Sequence, residues 1–214
     1  MRDETGYISI DGYYDDVIPL SNLERTTIFD MPTLDESLKH ELSVHTPEGD
    51  GMRLEELITL PAINARGFIA GGVAEKGRNI IVSTATVSLD LRLVPEQTPK
   101  QVRSLIESHI VDQGFFIVHE KPTPELLRTR EKIVKLDWRG GYPAHRTTID
   151  HPVAQRLKSI LTVMAPDLLL TPTMGGSLPL YEFGTRLTAP IIILPLANHD
   201  NNQHAENENI RLAN

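Results

Sequence analysis

The sequence predicts an α/β chain in two parts. Residues 1–134 read as a partial α+β sandwich, short of its first strand and helix. Residues 135–214 read as a fragment of a parallel-sheet α/β domain whose final helix is cut short. Three observations lead there. Residues 58–120 follow the order strand, strand, helix, strand, which is most of a split βαβ unit. Residues 150–214 alternate helices with near-continuous apolar strands, the mark of a sheet covered on both faces. Finally, the run Pro190-Ile-Ile-Ile-Leu-Pro195 leads into Asn198-His-Asp-Asn-Asn-Gln-His-Ala-Glu-Asn-Glu208, a polar cluster at the carboxyl end of a strand, where α/β proteins place their chemistry.

The elements follow in order. Gly6-Tyr-Ile-Ser-Ile-Asp-Gly12 alternates like a short strand ending in a turn, and residues 21–29 and 35–43 each fit a short helix. Residues 58–67 form a strand running into glycines, closed by Gly71-Gly72. Residues 79–94 are rich in β-branched side chains, with clear alternation from Val87 to Val94. A helix follows with Thr98 as N-cap, Pro99 at its first position and Gly114 at C′; Val102, Leu105, Ile106 and Ile110 share one face. Residues 115–120 return as a strand and 122–132 cross over. Asp150 then caps a helix with Pro152 in its first turn and Val153, Leu157, Ile160, Leu161 and Met164 on its apolar face. Residues 168–172 form a strand, 174–177 a tight turn, and 178–183 the start of a helix with Pro179 in its first turn. Residues 190–196 form a second strand, and 206–212 begin a last helix. Two strands do not make a covered parallel sheet, so this part reads as a fragment.

Composition narrows the function classes. With 40% apolar and 23% charged residues the 214-residue chain is globular in composition rather than disordered. A net charge of −8 argues against nucleic acid or an anionic membrane as partner. No run approaches the ~18 apolar residues that span a bilayer. The absence of cysteine excludes disulfides and thiol chemistry. Together with the lack of a basic-then-apolar amino terminus, it fits a cytoplasmic protein.

The candidate functional residues each carry a plain structural alternative. His204, with Asp200 before it and Glu206 and Glu208 after it, is either a metal ligand or a solvated loop histidine. Gly175-Gly176-Ser177 presents backbone N–H groups ahead of a helix, a seat for a carboxylate, or is a strand-to-helix turn with Ser177 as N-cap. Arg92 shares a strand face with Asp90 and Val94, so a surface ion pair is its default. Asn79 opens the same strand and reads equally as a turn residue.

Taken in order, these motifs resemble the two-zinc peptidase and amidohydrolase family of carnosinase-like dipeptidases, glutamate carboxypeptidases, aminoacylases and succinyl-diaminopimelate desuccinylases. The stretch from Gly6 to Val17, ending Tyr-Asp-Asp-Val, is similar to the carnosinase-like branch. The segment from Leu60 to Gly72 resembles the strand entering the family's Gly-Gly turn. Asn79-Ile-Ile-Val-Ser-Thr-Ala and Leu89-Asp-Leu-Arg-Leu-Val-Pro95 resemble its paired substrate-binding strands. Gly175-Gly-Ser-Leu-Pro179 and His204-Ala-Glu-Asn-Glu208 resemble its last two motifs. Val82 stands where the family often has Pro.

The resemblance implies a lid, which also forms the homodimer, up to about residue 120, and a return to a zinc-peptidase α/β catalytic domain from about residue 135. It implies that Asn79 contacts the scissile carbonyl oxygen, reaching across the dimer as in carnosinases. Arg92, Gly175, Gly176 and Ser177 would hold the carboxylate of a small peptide or N-acyl amino acid, and His204 would be a zinc ligand. The family's first half carries the other ligands of two zinc ions and the general base, and this sequence has no His-x-Asp motif. Glu55-Glu56 precedes a strand and reads as a solvated face. The expectation is therefore the carboxyl-terminal portion of a dinuclear zinc dipeptidase, with no catalytic residue of its own and silent in isolation. The alternative is a non-catalytic dimerisation or regulatory module from a truncated gene.

Overall fold

Side chains rather than strand pairing organise the amino terminus. In the computed structural model, which describes residues 1–212, the Asp3 carboxylate accepts from Thr5 N, Thr5 Oγ1 and Tyr7 N at 2.8–2.9 Å. The strand expected at residues 6–12 is reduced to one antiparallel bridge between Arg2 and Ile8. Its alternation still sends Ile8 and Ile10 inward, where Tyr13 joins them.

Helix α1 (Asn22–Asp30) starts in a capping box: Ser21 Oγ accepts from Glu24 N, and the Glu24 carboxylate accepts from Ser21 N at 2.8 Å. Helix α2 (Asp35–Glu41) follows, then the short α3 (Leu54–Leu57). Arg53, at the head of α3, reaches back past α2 to the carbonyls of Ile28, Met31 and Pro32, so a side chain from α3 satisfies the carboxyl end of α1. The Glu55-Glu56 pair is not a solvated face. Glu55 is buried with a carboxylate oxygen 3.3 Å from Arg53 Nε, and Glu56 accepts from Arg53 N at 3.1 Å.

Strands β1 (Ala62–Ile69) and β2 (Thr86–Arg92) pair antiparallel, with Ala62 opposite Arg92 and Asn64 opposite Asp90. The register slips between Ala65 and Gly67, leaving Arg66 as the bulged residue. β1 begins later than residue 58 because α3 and its last turn occupy the start of that run. β2 begins later than residue 79 because residues 70–85 form an exposed loop. Helix α4 (Pro99–Asp112) has the Thr98 cap, the Pro99 start and Gly114 at φ +84°. Val102, Ile106 and Ile110 of α4 pack with Ile8, Ile10, Tyr13 and Ile63 to form the core, and Leu89, Leu91 and Ile117 flank it.

β3 (Phe116–Val118) pairs parallel with β4 (Ile133–Lys135), and α5 (Pro124–Thr129) makes the crossover. Trp138 then fastens the returning chain to α4: its indole N–H donates to Glu107 at 2.8 Å, and Arg103 lies 5.4 Å above the ring. Arg146 and Glu24 form a buried ion pair at 3.8 Å between this segment and α1.

Helices α6 (Pro152–Met164) and α7 (Leu180–Leu187) complete the order. His151, not Asp150, caps α6, with Nδ1 accepting from Val153 N at 3.2 Å. Pro179 sits at the N-cap of α7 rather than inside it. No strand forms after β4 among the described residues, so the expected parallel pair at 168–172 and 190–196 is absent. A strand is a ladder and needs a neighbour to receive its N–H groups. Here Ile191 N donates to the Thr147 hydroxyl instead, and Leu194 is half exposed. Turns and irregular backbone replace the helix expected over residues 206–212.

Candidate functional site

Alternation in β2 sets the first part of the site. Leu89 and Leu91 pack against the core, so Asp90 and Arg92 emerge together on the other face. Arg92 Nε donates to Asp90 Oδ2 at 2.6 Å, the ion pair its spacing allowed. The guanidinium does more, because Nη1 donates to Ser177 Oγ across 85 residues of sequence. Two candidates from distant motifs thus meet. Arg92 remains 45% exposed at the side chain, so its other N–H groups can be reached from solvent.

Ser177 is not the N-cap of α7, which begins at Leu180. Its hydroxyl faces β2 instead. Gly175 packs on Ile58, where a Cβ would come 3.3 Å from Cγ2, and a Cβ at Gly176 would come 2.9 Å from Met174 Cε. Neither glycine has positive φ; the tight neighbour of Gly175 is the β-branched Ile58, whereas Gly176 meets only the flexible end of Met174. Asn79 lies in the exposed loop between β1 and β2, ahead of the strand it was expected to open.

His204 occupies a turn closed by Ala205 N donating to Asn202 O at 2.9 Å, with φ of +63°. The organiser of its loop is a residue that sequence reasoning missed. Asn198 is buried; its Nδ2 donates to Asp200 Oδ1 at 2.7 Å and Asn209 Oδ1 at 3.2 Å, and its Oδ1 accepts from Arg211 N at 2.9 Å. These bonds clasp residues 198–211 into an Ω-shaped loop. The Asn198 amide and the Arg211 guanidinium, at 2.7 Å, hold the Asp200 carboxyl below its ordinary pKa. The only advance signal was the density of asparagine, which tolerates the left-handed backbone that Asn202 and Asn207 adopt.

Among the described residues no three His, Asp or Glu side chains gather closely enough to hold a metal ion. The residues present do not fit a two-metal centre by themselves. What they assemble is a guanidinium steadied by a carboxylate and a hydroxyl beside a glycine-rich turn, an arrangement suited to an anionic group.

Known proteins share this framework. A family profile described as a peptidase dimerisation domain matches residues 38–115. The Cys-Gly metallodipeptidase of Saccharomyces cerevisiae is 23% identical over 220 residues, an alignment covering 100% of this chain and 43% of the yeast protein. The crystal structure of an M20 family metallo-carboxypeptidase from Sulfolobus solfataricus superposes with a TM-score of 0.70 at 25% identity, over 99% of this chain and 46% of that one. Human carnosine dipeptidase 1 superposes with a TM-score of 0.68 at 20% identity, over 98% and 42%. The chain spans less than half the length of each of these relatives. Over that part of their length the chain is similar to M20 metallopeptidases, and its residues 38–115 match the peptidase dimerisation domain.

Proposed function

We propose that this chain supplies the carboxylate clamp and the lid of a metallopeptidase that hydrolyses a peptide or N-acyl amide bond next to a free carboxylate. The observation that carries the reading is the Arg92–Ser177 contact, which joins the strand motif to the glycine turn in one place. A planar, permanently charged fork beside backbone N–H groups suits a terminal carboxylate better than a neutral amide. Asn79 is proposed to reach the scissile carbonyl and His204 to serve a zinc ion. The chain's contribution is binding and orientation: Arg92, Gly175, Gly176 and Ser177 fix one end of a small substrate, so that the bond beside it is presented in a set position. We propose that the lid pairs with a second copy of the chain, and that the isolated chain does not turn over substrate. The dimerisation-domain match also favours a second reading, a pairing module without a substrate site.

A complete enzyme containing this chain separates the two. Arg92→Ala should raise KM for free-carboxylate dipeptides by on the order of tenfold to a hundredfold, while C-terminally amidated analogues change little. Equal losses on both substrates remove Arg92 from the clamp and leave the pairing module as the better reading.

A further inference from the structure

Arg92 does not stand alone on its strand. An exposed arginine samples many rotamers, and a ligand that needs one of them must pay the ordering cost on binding. Here the cost is met in advance. Asp90, two residues earlier and therefore on the same face, accepts from Nε at 2.6 Å. Ser177 accepts from Nη1. Ala62 lies directly opposite Arg92 across the β1–β2 pair and has only a methyl side chain. Leu89 and Leu91, packed on the core, hold the strand so that Asp90 and Arg92 stay outward.

We infer that Asp90 is a positioning residue for the carboxylate clamp: it locks the Arg92 guanidinium so that Nη2 and the outer edge of the fork face an incoming carboxylate. The inference rests on the reading of Arg92 given under Proposed function. Two opposing effects decide its sign. The Asp90 charge repels a carboxylate ligand, but the pair is partly solvent-exposed, with Asp90 28% and Arg92 45% accessible at the side chain, so water screens that repulsion. Directional holding of a long side chain is not screened in the same way. Positioning therefore outweighs repulsion. Ser177 has the lesser share, since a neutral hydroxyl makes a weaker bond to the guanidinium than a carboxylate does.

The test uses the 214-residue chain and the ¹H–¹⁵N signal of the Arg92 Nε–H group. N-acetylglycine is titrated against N-acetylglycinamide, which has the same shape without the negative charge. The indole signal of Trp138, the single tryptophan, reports that the variants are folded. In the wild type, N-acetylglycine should shift the Arg92 signal and the amide should not. Asp90→Asn, similar in size to the native side chain, should weaken the acid's binding by about tenfold, and Ser177→Ala by less. Equal or tighter binding by Asp90→Asn overturns the positioning role while leaving the Arg92 reading intact. A wild-type Arg92 signal that does not respond to the acid overturns that reading, and the positioning role with it.

Discussion

Tyr13 carries a phenol into the core, where its hydroxyl has no hydrogen-bond partner among the described residues. Burial disfavours the phenolate and pushes the pKa up to about 12 from the ordinary 10.0. The unfolded chain therefore loses its proton first. Stability is full below pH 10 and falls by roughly 1.4 kcal/mol per pH unit between about 10 and 12. Tyr13→Phe should flatten much of that alkaline loss, and at neutral pH it should be neutral or slightly stabilising because a buried unpaired hydroxyl is removed. Urea denaturation at pH 8 and at about pH 11.5 measures both. Tyr14 shifts upward for the same principal reason, so some alkaline loss persists in the variant. Other residue roles divided by what distance along the chain allows. The Asp90–Arg92 pair was legible because spacing alone makes it. The Ser177 contact to Arg92 was not, since nothing local announces a partner 85 residues away. Glu55 misled for a related reason: a Glu-Glu pair normally faces water, and only the fold brings the head of α3 against the end of α1, where Arg53 reaches the carbonyls of Ile28, Met31 and Pro32.

Helix α4 is the element in which local and distant forces agree. Its capping box, its proline at the first position and its left-handed Gly114 are all written in consecutive residues, and its apolar face meets the buried residues of the amino terminus. The two contributions should separate cleanly. Thr98→Ala removes the hydroxyl that accepts from Gln101 N at 3.2 Å and should cost about 1 kcal/mol. Ile106→Ala empties a fully enclosed site and should cost about 2–5 kcal/mol, so chemical denaturation should rank the two in that order. The reverse ranking would mean that the cap, not the core, holds this helix. Short elements were less readable. Residues 133–135 become β4 only because β3 lies alongside, and residues 168–172 and 190–196 stay out of strands because no partner is positioned beside them among the described residues. Hydrophobicity marks a strand's burial, but a neighbour makes it a strand.

At the scale of the whole molecule, two small sheets and α4 form one centre of organisation, and the α6–α7 region brings the glycine turn to the edge of β2. The proposed carboxylate clamp would draw on residues that meet within this chain, Arg92 and Ser177, whereas among the described residues no three metal-ligating side chains gather. A protein zinc site takes three or four ligands in a fixed geometry. His204 is exposed in its turn, and the nearby Asp200 is committed to Asn198 and Arg211. Because each lost ligand removes a large share of the affinity, a single imidazole should hold zinc only weakly. Calorimetric titration of the 214-residue chain with Zn²⁺, beside His204→Ala and with a dipeptidase assay on the same samples, should give weak or undetectable uptake and no turnover. Tight binding of two ions, abolished by His204→Ala and accompanied by hydrolysis, would mean that this chain draws its dispersed carboxylates and histidines together when metal is present.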